Sequence, residues 1–213
     1  MKNIIFIAPP AAGKGTQSTK LKEDYQYNHL STGDMLREAV KSNSSVGVLV
    51  KDIIDSGKLV SDEVMLKLIK EQLNNSKGKP FILDGFPRTL NQALELDNII
   101  DDDYEVIYLD LAREEAINRI LGRVVCSCGK SYNLHNPLLM PKEEGICDSC
   151  KKSLKRRSDD TEDSFKVRFD SFLENTKPVL EYYKNKNKLH KIDVNRDVSD
   201  IYTDILRVVN DKY

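Results

Sequence analysis

The chain has 213 residues, 39% of them hydrophobic and 31% charged, enough for one substantial core carrying small insertions. Its formal net charge of −1 argues against a general attraction to nucleic acid or to an anionic membrane, so any phosphate binding must come from locally placed lysines and arginines. No apolar run approaches the roughly 20 residues of a spanning helix, which argues against a membrane partner.

The N-terminal run NIIFIA (3–8) is continuously apolar and is stopped by Pro9 and Pro10. It reads as a buried strand rather than a signal peptide, so the chain is expected in the cytoplasm with its four cysteines reduced. The stretch APPAAGKGT, Ala8 to Thr16, then nearly fits the phosphate loop G-x-x-x-x-G-K-[ST]. Ala8 replaces the first glycine, and Gly15 stands between Lys14 and the hydroxyl of Thr16. A strand, a small-residue turn and a helix opening at GKGTQSTKLKEDY would aim several backbone N–H groups at one spot. Lys14 would add a mobile charge there and Thr16 a hydroxyl at the helix start. A plain strand-to-helix turn is the competing reading. Because a Cβ penalises the left-handed region, both Ala8 and Ala11 are expected to have negative φ.

Further strands are expected at YNHL (27–30), PFILD (80–84), EVIYLDL (105–111) and LHKIDV (189–194). The last three are continuously apolar rather than alternating, as strands covered on both faces should be. Helical periodicity separates them at 62–73, 113–124 and 197–209, and again over 162–184, where Pro178 should end or kink the helix. The alternation predicts an α/β fold with a parallel sheet of about five strands flanked by helices. Two segments stand outside it: 31–60, helical without a strand, and 123–160, which holds every cysteine. The expected organisation is therefore a core of 1–30, 61–122 and 161–213 with two insertions.

The second insertion carries Cys126, Cys128, Cys147 and Cys150. The spacing Cys147-x2-Cys150 suits two thiolates on a shared tetrahedral zinc, whereas Cys126-x-Cys128 is one residue short. Structural zinc with four protein ligands is the expectation; the alternatives are four reduced cysteines without metal, or His135 replacing one of them.

Isolated arginines at 37, 88, 119, 123, 157 and 168, in a chain that otherwise uses lysine freely, suggest fork-shaped phosphate contacts. Together with STGDMLR (31–37), SGKLVSDE (56–63), FILDGFPRT (81–89) followed by Gln92, and RSDD (157–160), they give a specific pattern. Over residues 2 to about 197 the sequence resembles adenylate kinases of the bacterial long-lid type, in which a glycine also follows the loop lysine. The resemblance implies a P-loop NTPase-like core, an NMP-binding insertion at 31–60 and a zinc-type lid at 123–160. It also implies reversible phosphoryl transfer from MgATP to AMP, giving two ADP, by a monomer without nucleic-acid partners.

In that scheme Lys14, Arg88, Arg123, Arg157 and Arg168 surround the phosphates, and Asp84 orients magnesium-bound water. ATP is met by Ala11, Ala12, Gly13, Lys14, Gly15, Thr16, Arg119, Arg123, Ser131, Tyr132 and Arg196. AMP is met by Thr32, Arg37, Lys58, Leu59, Val60, Gly85, Phe86, Pro87, Arg88, Gln92, Arg157 and Arg168. Asp159 and Asp160 are expected to pair with the lid arginines. Thr32 and the long lid favour AMP over the UMP and CMP of related kinases. A zinc-ribbon nucleic-acid binder with a vestigial ATP loop is a competing class, as is a P-loop ATPase acting on a protein; the latter leaves DGFPRT without a task.

Overall fold

The computed structural model describes residues 1–76, 78–100 and 103–210, so 77, 101–102 and 211–213 of the expected core lie outside the described residues. The strands are β1 (Asn3–Ile7), β2 (Asn28–Ser31), β3 (Phe81–Asp84), β4 (Tyr104–Asp110), β5 (Arg123–Val125), β6 (Ser131–Asn133) and β7 (Leu189–Asp193). Five of them form one sheet in the order β2-β3-β1-β4-β7, with every neighbouring pair parallel. All five residues of β1 are buried. Because side chains alternate along a strand, Ile5 and Ile7 pack with Leu83 and Val106 into one core, while Ile4 and Phe6 pack with Ile82 and Ile107 into another on the opposite face.

The helices that cover these faces are α1 (Lys14–Tyr25), α2 (Thr32–Lys41), α3 (Ser45–Asp55), α4 (Asp62–Asn75), α5 (Leu90–Asp97), α6 (Arg113–Gly122), α7 (Glu162–Ser171), α8 (Lys177–Asn185) and α9 (Val198–Val209). Side-chain caps fix several starts: Ser31 accepts from Asp34 N–H, Ser44 from Gly47, Thr89 from Gln92 and Thr161 from Ser164. None of the helices among the described residues is long and apolar enough to cross a membrane.

Three expectations change in detail. The strand at β7 is not covered on both faces: Lys191 and Asp193 are exposed, because β7 is the sheet edge and pairs only with β4. The helix expected over 113–124 stops at Gly122, since Arg123 instead opens the antiparallel hairpin β5–β6 opposite Asn133. The long helix at 162–184 does not simply kink at Pro178. A π-turn at Phe172–Thr176 precedes it, Lys177 N–H reaches back to Phe172 C=O, and Pro178 falls in the first turn of α8, where its missing N–H costs nothing.

Because β1 lies between β3 and β4, connections leave it in opposite directions, and a crevice opens beyond the carboxyl ends of the strands. The helical insertion α2–α3 and the cysteine-bearing hairpin are attached around that crevice.

Candidate active site

The loop after β1 meets the crevice directly. Helix α1 begins at Lys14 with Gly13 as its left-handed N-cap (φ 89°); no side chain caps it and its first turn has no acidic residue. Its leading N–H groups are therefore free to receive an anion. Ala8 is not among the residues with positive φ, as expected, but Ala11 has φ 63°. That overturns the expectation of negative φ at Ala11. Left-handed turns at Ala11 and Gly13 curl the backbone into a cradle, and the geometry overrides a Cβ penalty of about 1 kcal/mol.

Lys14 reaches from this loop toward Asp84 at the end of β3, with 4.0 Å between Nζ and Oδ1. Burial, only partly opposed by Asp84, and the charges of Arg88, Arg168 and Arg123 lower its pKa to about 8. Burial by itself would raise Asp84. The hydrogen bond from His29 Nε2 (3.2 Å to Oδ2) and the charges of Lys14 and Arg88 outweigh it and hold the carboxyl at about 2. Asp84 is thus an ionised, oriented carboxylate, of the kind that suits a hydrated divalent cation. His29 was not singled out in the sequence; it reaches Asp84 only because β2 and β3 pair in register.

Residues 85–88 carry the chain from Asp84 to Arg88 through a cis Phe86–Pro87 bond. Gly85 is obligatory: its φ is 87°, and a Cβ there would stand 2.5 Å from Thr32 Oγ1 and 3.0 Å from Arg88 Nη2. The Arg88 side chain donates from Nε to Gly85 C=O (2.7 Å), and the Thr176 hydroxyl from the π-turn donates to Arg88 C=O (2.9 Å). Burial depresses the pKa of Arg88, and of Arg168 to about 10, with the neighbouring cations adding to it.

Two cavities occupy the crevice. Lys14, Pro10 and Thr176 line one; Thr32, Arg37, Lys58, Val60 and Gln92 line the other. They share Gly57, Leu59, Gly85, Arg88 and Arg168, so the phosphate loop and the insertion side open onto one continuous cleft. Pro87 lines the loop side. Phe86 is fully buried in the core beneath, and Ala12 is buried against α1. Thr32 is also buried, with its hydroxyl donated to Asp84 C=O (3.2 Å). Gly15 and Lys58 are exposed, and Thr16 half-buried.

Four of the arginines, Arg37, Arg123, Arg157 and Arg168, face carboxylates. Arg123 makes a two-pronged contact with Asp160 through Nε and Nη2, and Arg168 Nη1 lies 3.1 Å from Asp159 Oδ2. Arg37 Nη2 donates to Asp34 (2.6 Å) and its Nη1 stands 3.9 Å from Asp159. Arg157 Nη2 stands 4.0 Å from Asp34 Oδ1. The last two contacts run between the 31–60 insertion and the 123–160 segment. Asp34, a partner to two arginines, had not been picked out.

The remaining residues expected to meet ATP have protein partners of their own. Arg119 is spent on Glu115 (2.8 Å) and on Val194 C=O (2.9 Å), and exposed Arg196 on Asp204 and Asp193 C=O. Ser131 is exposed on β6. Tyr132 turns its hydroxyl to the cysteines, accepting from Asp148 N–H (2.9 Å) and lying 3.5 Å from Cys147 Sγ.

Those four cysteines form a cluster. All four Sγ atoms lie within 4.8 Å of one another, with Cys126 3.3 Å from Cys150 and Cys128 3.7 Å from Cys147. Four thiolates around zinc at about 2.3 Å would stand about 3.8 Å apart, so the cluster fits such an ion with no position left open. The short Cys126-x-Cys128 spacing is absorbed by a tight turn in which Gly129 N–H bonds Cys126 C=O and Cys126 N–H bonds Lys130 C=O. His135 bonds Asn118 instead and is not part of the cluster.

A family model described as adenylate kinase matches residues 6–188. Curated proteins named adenylate kinase align over nearly the whole chain. That of Petrotoga mobilis is 42% identical, with 97% of this chain and 96% of its own covered. That of Methanocella arvoryzae is 44% identical, with 94% and 95% covered. That of Thermosipho africanus is 44% identical, with 97% and 99% covered.

Proposed function

The chain belongs to the adenylate kinase family, and from that premise we propose how its own residues divide the work of passing a phosphoryl group from ATP to AMP. It is a nucleoside monophosphate kinase; the assignment of residues to the two nucleotides is our reading. The continuous cleft carries it, because Lys14, Arg88 and Arg168 converge there from three separate segments. In-line transfer moves the γ-phosphorus from the β–γ bridging oxygen of ATP, which leaves on the β-phosphate of ADP, to an oxygen of the AMP phosphate. The protein's task is to hold two anions end to end and spread their charge.

The loop Ala11–Thr16 cradles the ATP phosphates with its N–H groups, and Lys14 follows the outer ones. Arg37 and Arg88 hold the AMP phosphate, with Thr32, Leu59, Val60 and Gln92 along its nucleoside. Arg123, Arg157 and Arg168 leave their carboxylate partners to meet the transferring group. Asp84 would hold Mg2+ through water, and the ion supplies neutralisation of the phosphate oxygens. The cysteine cluster would hold structural Zn2+ and stiffen 123–160 into a lid that moves as one body over a core of 1–30, 61–122 and 161–213. Segment 31–60 acts as the AMP-binding insertion. Both nucleotides are served by one chain, which supports a monomer, and the reduced thiols suit the cytoplasm.

The test is a coupled assay of ADP formation from ATP with AMP, UMP, CMP or GMP, with metal content measured on the same sample. Preference for AMP supports the reading. Preference for UMP or CMP replaces it with a pyrimidine nucleotide kinase, and ATP hydrolysis indifferent to any monophosphate overturns it.

A further inference from the structure

The AMP side of the cleft ends against Gln92, which is 2% exposed and shares its cavity with Thr32, Leu36, Val60 and Met65. Its amide is held at both ends. Nε2 donates to Asp62 Oδ1 (2.7 Å), and Oε1 accepts from Arg88 N–H (2.8 Å). One amide hydrogen and one oxygen lone pair remain uncommitted among the described residues.

Asp62 is itself fixed at the start of α4. It accepts from the Thr89 hydroxyl (3.2 Å) and from Asn91 Nδ2 (3.0 Å), and Thr89 Oγ1 in turn caps α5 by accepting from Gln92 N–H (3.1 Å). Turning the Gln92 amide over would set its oxygen against the Asp62 carboxylate and its NH2 against Arg88 N–H. Both contacts would then be like against like. Asp62, which only accepts, and Arg88 N–H, which only donates, together fix which way the amide faces. Of the two, Asp62 is the one that a side-chain substitution removes.

That orientation has chemical content. The free edge offers a fixed donor from nitrogen and a fixed acceptor from oxygen. Adenine complements such an edge with an accepting N1 and a donating 6-amino group. A 6-oxopurine presents the reverse, N1–H and O6, and would need the amide turned over. We infer that Asp62 is a specificity-determining positioning residue: by locking Gln92 it makes the site select 6-aminopurine over 6-oxopurine monophosphates. This rests on the reading that the cavity beside Arg88 takes AMP. Cytosine shares the accepting and donating pattern of adenine, so the matched probe is IMP, equal in size and opposite in hydrogen bonding.

The experiment measures kcat and KM for AMP and IMP with saturating ATP, in the native chain, Asp62→Ala, Asp62→Asn, Gln92→Ala and Asp62→Ala/Gln92→Ala. The native chain should prefer AMP by about a hundredfold or more in kcat/KM, as sites built around polar complementarity do. Asp62→Ala should shrink that preference at least about tenfold, chiefly through KM for AMP, with KM for ATP unchanged. Asp62→Asn keeps the shape and hence the fold, but offers either a donor or an acceptor to Gln92, and should also relax the preference. In the double variant the loss should be no larger than in Gln92→Ala alone.

Full preference retained in both Asp62 variants overturns the inference while leaving the AMP site standing. So does an Asp62→Ala loss that persists undiminished in the Gln92→Ala background. A native chain with no preference for AMP over IMP overturns the AMP-site reading, and this inference with it.

Discussion

Lys14 and Asp84 face each other across the ends of neighbouring strands, ammonium to carboxylate at 4.0 Å, yet their surroundings treat them oppositely. Asp84 has His29 as a further partner and stays ionised down to about 2. Lys14 shares its surroundings with three arginines. Without phosphate, one member of the pair is comfortable and the other is not.

Lys14→Met should therefore abolish phosphoryl transfer while raising the thermal midpoint of the ligand-free protein by a few degrees. The folded pKa of about 8 lies below the ordinary 10.5, so the folded state binds this proton less tightly than the unfolded chain does. The charged lysine costs stability below pH 8, and the cost fades as pH rises from about 8 through 10.5. Asp84 has the opposite sign: its contribution is complete above 3.8 and is lost as pH falls toward about 2. Scanning calorimetry at pH 7 checks the variant; a lowered midpoint would count against the crowding of cations.

Arg88→Ala should lower kcat/KM by about a thousandfold or more, as loss of a phosphate-clamping arginine does. The fold should survive, because Arg88 meets its neighbours mostly through backbone groups that an alanine retains. Circular dichroism and turnover on one preparation decide it. Unchanged turnover would remove Arg88 from the chemistry.

At Ala11 the left-handed backbone tolerates a methyl group but not a branched side chain. Ala11→Val should raise KM for ATP about tenfold, since a β-branched residue at φ near 60° costs more than 1 kcal/mol beyond alanine. Ala11→Gly should leave it unchanged or lower. Equal KM values in both variants would mean that the loop relaxes once ATP binds.

Purified protein should carry one zinc ion, retained through gel filtration and bound by the four thiolates. Stripping it with a chelator should lower the thermal midpoint, and Cys150→Ser should do the same without chelator. Protein without metal and a midpoint insensitive to chelator would leave the cysteines as reduced thiols without an ion.

What the sequence made legible follows from the range of each interaction. The five strands of the main sheet and helices α1, α4, α6 and α9 were readable to within about two residues, because burial and periodicity are local properties. The hairpin β5–β6 and helix α5 were not foreseen. The phosphate loop and the converging arginines were readable as a pattern of residue types. His29 beside Asp84 was not, since 55 residues separate them and only the pairing of β2 with β3 joins them. Asp62 on Gln92 is similar, across 30 residues and two helix starts. The protein partners of Arg119 and Tyr132, on α6, at Val194 and among the cysteines, were likewise not legible, since they too depend on the folded chain. Ala11 fails for another reason: propensity speaks for alanine in general, while the turn answers to the cradle.

The widened turn before Pro178 reaches further than its own helix. One surplus residue rotates everything downstream by about 100° around the axis. Thr176 lies at the end of that turn, with its hydroxyl on the Arg88 carbonyl. Regularising the coil would swing the threonine to another side and leave the arginine's peptide unmoored. An apparent blemish in a distant rod thus serves as the alignment pin for the guanidinium at the heart of the cleft.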